Sequence, residues 1–140
     1  MEEQPVFAPG LTARVELAVG DSDTAQTLGS GDVPMLATPR VLALAETATV
    51  AATARQMPSG LTTVGFRVEL SHKAPTPIGR RVAAQATLTQ VDGRRLVFEV
   101  HVTEVPASAD VPYADRRVVA EGRIERMLVD RQRFLSAAFE

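Results

Sequence analysis

Ala37-Thr38-Pro39-Arg40-Val41-Leu42-Ala43-Leu44-Ala45-Glu46-Thr47-Ala48-Thr49-Val50-Ala51-Ala52-Thr53-Ala54-Arg55 is the stretch on which the fold turns. It is rich in Ala and Leu, has no Gly, and carries its one Pro directly after Thr38. The fixed φ of Pro suits a first helical turn and a Thr side-chain oxygen suits an N-cap, so the segment predicts a long helix with Thr38 as its cap. Val41, Leu44, Ala45, Ala48 and Ala52 recur at three- and four-residue spacing. A second row, Leu42, Ala45, Thr49 and Ala52, overlaps it, leaving the helix apolar or small on nearly every side. Such a helix is expected to be wrapped by other structure. Glu46 is the only charge between Arg40 and Arg55. It is either an acid on one narrow solvent-facing strip or a carboxylate that must be partnered in the interior, and the second reading makes it a candidate for chemistry.

Upstream, Gly10 to Val19 alternates apolar and polar residues with period two and reads as a half-buried strand. Gly20-Asp21-Ser22-Asp23 turns the chain, and Asp23 is placed to cap a short helix running to Leu28. The Gly-rich approach from Gly29 to Pro34 then has the composition of a lid or connecting loop. Downstream, Met57-Pro58-Ser59-Gly60 stops the helix. Strand-like runs follow over 62–72, 81–91, 95–105 and 117–129. The first sets Val64, Phe66, Val68, Leu70 and His72 on one face. Asp92-Gly93 between the second and third marks a tight antiparallel hairpin. Residues 106–115 read as an exposed loop, and the tail from Asp130 to Phe139 reads as helical. The expected order is strand, long helix, then a meander of four strands in one domain spanning residues 1–140, an α+β architecture.

Composition excludes several classes. With 45% hydrophobic and 23% charged residues, the 140-residue chain is an ordinary globular sequence. A net charge of -2 and 4% aromatics argue against a nucleic-acid partner. The absence of cysteine removes thiol nucleophiles and cysteine-ligated metal sites and fits a cytoplasmic protein. No apolar run is long enough for a membrane span, and the opening Met1-Glu2-Glu3-Gln4 is unlike a signal peptide.

Three residues carry a resemblance. Thr38 stands just before the central helix, Glu46 follows it within the helix, and His72 closes the next strand, with Gly65 seven residues earlier. With Thr76-Pro77-Ile78-Gly79, Val91-Asp92-Gly93-Arg94-Arg95-Leu96 and Glu121-Gly122-Arg123-Ile124-Glu125-Arg126, this pattern resembles the fluoroacetyl-CoA thioesterase-like branch of the hotdog thioesterases. The resemblance implies a hotdog fold, a long central helix wrapped by a curved antiparallel sheet. It also implies acyl-CoA thioesterase activity on a small or short-chain acyl group, with coenzyme A entering only as part of the substrate and no metal. The family's aromatic gate before the Thr has no counterpart in Val33-Pro34-Met35-Leu36.

Thioester hydrolysis needs a nucleophile and donors for the developing oxyanion, and the thiolate leaves readily. Glu46 would attack the carbonyl or deprotonate water, with a His72 imidazole within reach to orient it. Thr38 would supply a hydrogen-bonding or nucleophilic hydroxyl. Gly65 would let backbone approach the substrate closely, with a strand bulge as its ordinary alternative, and Val33 and Met35 would line the acyl pocket. Thr38 and Glu46, however, lie roughly 12 Å apart along any regular helix that contains both. Either the Thr-Pro segment folds back over the helix, or the contact is made across a subunit interface, and the resemblance implies at least a homodimer. The alternative function is a non-catalytic hotdog module that binds an acyl thioester or a protein partner.

Overall fold

The computed structural model describes residues 7–108 and 110–140, so the acidic opening Met1–Gln4 lies outside the described residues. The chain runs β1 (Thr12–Ala18), α1 (Ala25–Leu28), α2 (Thr38–Thr53), β2 (Leu61–His72), β3 (Arg81–Asp92), β4 (Arg95–Val105), β5 (Val118–Asp130) and α3 (Arg131–Ala137). The five strands form one antiparallel sheet in the order β1-β3-β4-β5-β2.

The order corrects the expected meander. Only β3, β4 and β5 are neighbours in sequence as well as in space. β2 instead pairs with β5 from Leu61 opposite Asp130 to His72 opposite Ala120. The physical reason lies in residues 73–80, where Pro75 and Pro77 cannot donate backbone bonds and the connection is too long for a tight turn. Lys73 N–H bonds Val119 carbonyl at 2.7 Å, and the chain then crosses to the other side of the sheet, where Val19 N–H meets Arg80 carbonyl. The β3–β4 hairpin forms as expected, with Gly93 at φ 61 beside Arg94 in the two-residue turn between paired Asp92 and Arg95.

α2 lies across β1 and β3. Its inward row, Val41, Leu44, Ala45 and Ala48, is buried against Val82, Ala84, Ala86 and Leu88 of β3 and Phe98, Val100 and Val102 of β4. Ala84 and Ala86 leave room for the helix to approach the sheet closely. The helix is less enclosed than its sequence predicts: Ala43, Thr47 and Val50 are exposed, because the chain's own sheet covers one face only. No described helix is long and apolar enough to cross a membrane.

Both predicted caps shift by one residue. Ala37, not Thr38, is the N-cap of α2: its carbonyl accepts from Arg40 N–H and Val41 N–H at 3.0 Å, while its own N–H is fixed on Asp23 carbonyl at 2.9 Å. Thr24, not Asp23, caps α1 and accepts from Thr27 N–H. Asp23 is occupied elsewhere, accepting from Gly20 N–H and from Arg40 Nε, each at 2.8 Å. That pair ties the turn at Asp21–Asp23 to the first turn of α2. In β2, a bulge between Gly65 and Arg67 breaks the single face expected from alternation, and Phe66 at the bulge is 60% exposed.

Candidate active site

Because Ala37 caps the helix, the Thr38 side chain is released from capping. Its Oγ1 lies 2.7 Å from Nδ1 of His72 at the end of β2. Two elements distant in sequence are thus joined at one point, the first turn of α2 and the last residue of an edge strand. Burial pushes the His72 pKa below its ordinary value, with the backbone of Ala74 acting in the opposite direction. The imidazole is therefore neutral near pH 7. Its Nε2 is buried and has no hydrogen-bond partner among the described residues. A neutral ring with Nδ1 unprotonated accepts the Thr38 hydroxyl proton, which is the arrangement that activates a hydroxyl or fixes its direction.

Thr38 and His72 line a cavity of about 550 Å³ together with Val33 and Met35. The loop carrying these two residues is pinned rather than free: Val33 carbonyl accepts from Gln26 N–H, Met35 carbonyl from Ala25 N–H, and Leu36 N–H bonds Thr76 carbonyl. Four of the sequence-predicted residues therefore share one cavity, whose size falls within the usual range for small-molecule sites.

Glu46 and Gly65 form a second group. Glu46 sits two turns further along the unbroken α2, and its carboxylate lies over the bare backbone of Gly65: a Cβ built there would stand 2.8 Å from Glu46 Oε2. Gly65 thus makes room for a carboxylate of its own chain, and it also begins the β2 bulge. Sequence reasoning missed Arg126, whose Nη1 lies 3.4 Å from Glu46 Oε2. Its signal was present, a charged residue in phase with the inward-facing Ile124 and Leu128 of β5. The expected contact between Glu46 and His72 is not made within the chain, since a continuous helix keeps Glu46 about 12 Å along its axis from Thr38. The segment does not fold back.

A family model described as fluoroacetyl-CoA-specific thioesterase matches residues 19–132. The chain belongs to that family. Among solved structures, the fluoroacetyl-CoA thioesterase FlK is 25% identical, with 94% of this chain and 95% of that chain covered at a TM-score of 0.79. A hot-dog-like protein from Thermanaerovibrio acidaminovorans is 24% identical over 96% of this chain and 92% of its own, at 0.80. A thioesterase superfamily member from Thermus thermophilus is 22% identical over 98% and 93%, also at 0.80. The last two bear on the fold alone, which is the hotdog fold. No curated protein matches the sequence. As a member of the fluoroacetyl-CoA-specific thioesterase family the chain is a thioester hydrolase, and the non-catalytic alternative gives way.

Proposed function

We propose that this thioesterase hydrolyses a small or short-chain acyl-CoA at a site formed by Thr38, His72 and Glu46. The observation that carries the reading is the 2.7 Å contact between Thr38 Oγ1 and His72 Nδ1 in the cavity lined by Val33 and Met35. The neutral imidazole accepts from the Thr38 hydroxyl and so aims it at the thioester. Thr38 opens α2, so its N–H has no acceptor within the helix and is available to a developing oxyanion. Glu46 attacks the carbonyl or removes a proton from water. In the water route the new C–O bond gives a tetrahedral oxyanion whose collapse breaks the C–S bond, and the proton taken by Glu46 passes to the departing thiolate. In the direct route the same collapse leaves an anhydride on Glu46, which water then hydrolyses, restoring the carboxylate and supplying the thiolate's proton. Coenzyme A enters only as part of the substrate, and the chemistry draws on no metal.

Glu46 reaches Thr38 and His72 from a second copy of the chain. β2 is an edge strand, paired on one side only, and carries exposed Phe66. The open face of α2 carries Ala43, Thr47 and Val50. A twofold pairing along these surfaces covers both and sets the N-terminus of one α2 against the middle of the other. His72 Nε2, which has no hydrogen-bond partner among the described residues, is consistent with a group arriving from outside the chain. The absence of cysteine supports a cytoplasmic location.

Met35 and Val33 stand where a family member has an aromatic gate, and they offer an apolar, adaptable wall. An acyl preference broader than fluoroacetyl follows. The test is thiol release from short, branched, halogenated and aromatic acyl-CoAs by the wild type and Glu46→Gln. Turnover that collapses in the variant supports the reading. Equal turnover by both proteins removes Glu46 from it.

A further inference from the structure

Arg126 occupies the register position opposite Gly65, and its side chain is only 8% exposed. Each guanidinium nitrogen has an acceptor. Nε donates to Thr63 Oγ1 at 2.9 Å, Nη2 to Thr63 carbonyl at 3.0 Å, and Nη1 to Glu46 Oε2 at 3.4 Å. Two bonds to one residue fix the plane of the fork, so the third nitrogen can address only the place where the Glu46 carboxylate sits.

The partners are asymmetric. The Glu46 side chain is 36% exposed, whereas the arginine is buried. Burial lowers the Arg126 pKa and the adjacent Glu46 charge opposes that shift. Buried ion pairs rarely stabilise a fold more than apolar residues of similar volume would, so stability alone is a weak reason for a guanidinium in this layer. Other charges of the neighbouring strands belong to the opposite face of the sheet, where Arg67, Arg95 and Arg123 gather around Glu125 and Arg67 also meets Glu69. The carboxylate is left between bare Gly65 backbone and one anchored cation.

We propose that Arg126 is a positioning residue that holds the Glu46 carboxylate over Gly65 in one orientation toward the thioester. The inference rests on the catalytic reading of Glu46 given above. Misplacing a reacting group by about 1 Å costs up to about a hundredfold in rate, which sets the scale of the expected effect. Thr63 belongs to the same device, since it alone fixes the arginine plane.

The experiment measures kcat and KM for acyl-CoA hydrolysis by wild type, Arg126→Gln, Arg126→Lys, Thr63→Val, Glu46→Gln and the Arg126→Gln/Glu46→Gln double variant. Arg126→Gln is expected to lower kcat about tenfold to a hundredfold with KM changed less than about threefold. Arg126→Lys recovers part of the loss. Thr63→Val, which removes the Nε bond but keeps the Nη2 bond to the residue 63 carbonyl and so loosens the plane of the fork without releasing it, lowers kcat by a smaller factor. Added to Glu46→Gln, Arg126→Gln removes no further activity, because the group it positions is already gone. Wild-type kcat in a folded Arg126→Gln, or losses that multiply in the double variant, overturns the proposal. If Arg126→Gln does not fold, Thr63→Val decides: unchanged kcat there counts against positioning and a fall with constant KM supports it. Full activity in Glu46→Gln sinks the reading of Glu46 itself. An inactive Glu46→Gln beside unaffected Arg126 and Thr63 variants sinks the positioning role alone.

Discussion

The Thr38 hydroxyl and the His72 imidazole meet at 2.7 Å across 34 residues of sequence, and the helix keeps its start without them. Ala37 carries the cap through its backbone, and Asp23 carbonyl holds Ala37 N–H. Function and stability are therefore separable at position 38.

Thr38→Val is expected to lower kcat by about a hundredfold, the usual scale for losing a positioned proton-handling group. Its stability changes by less than about 1 kcal/mol, because only one exposed hydrogen bond is lost. Thr38→Ser, which retains the oxygen, keeps most of the activity. Steady-state kinetics and thermal melts on the same samples check both halves. A variant that melts early and is inactive for that reason would restore Thr38 to a structural role.

His72 links the site to pH. Its folded-state pKa lies below the ordinary 6.5, so between those values the unfolded chain binds a proton that the folded chain does not. Stability from this residue is complete above pH 6.5 and is lost as pH falls through the lowered folded value. Wild type is thus expected to lose more melting temperature between pH 7 and pH 5 than His72→Gln does, with other titrating groups common to both. A parallel decline in the two proteins would show that burial does not disfavour the charged ring.

The sequence made the helix and the β3–β4 hairpin legible because each has a local cause, Ala-rich periodicity and Asp92-Gly93, and it showed the helical tail though not its cap at Asp130. Strand order was not legible. β2 and β3 follow one another and look like hairpin partners, yet pairing depends on where eight loop residues carry the chain, and periodicity says nothing about that. Thr38 was read as a cap because its type suits one, while the residue that caps through backbone alone, Ala37, has no side-chain signal. The alternation with Ile124 and Leu128 puts Arg126 on the inward face, but the cross-strand register that sets it opposite Gly65 is encoded in no spacing.

Gly65→Ala tests the fit of the carboxylate directly. The added methyl would lie 2.8 Å from Glu46 Oε2 and 3.8 Å from Arg126 Nη1. Both are ends of side chains, and the Glu46 carboxylate can swing away. Stability is expected to fall by about 1–3 kcal/mol, because the displaced carboxylate leaves Nη1 of the buried Arg126 without its acceptor. Activity falls about tenfold or more, since the displaced carboxylate leaves its position. Equal stability with full activity would show that the precise seat of Glu46 is irrelevant to turnover.

Whether Glu46 acts on its own chain or on a second copy can be read by mixing two dead proteins. In a twofold dimer with composite sites, Thr38→Val and Glu46→Gln subunits combine into a heterodimer in which one site carries both lesions and the other carries none. Half of a fully exchanged equal mixture is heterodimer, and half of the sites in each are intact. Activity should therefore recover to about a quarter of wild type after subunit exchange, and it should grow with exchange time. If each site were built within one chain, every site in the mixture would contain one lesion and no activity would return. The continuous helix from Thr38 to Thr53 makes the first outcome the expected one, because nothing within a single chain shortens the distance between its first turn and Glu46.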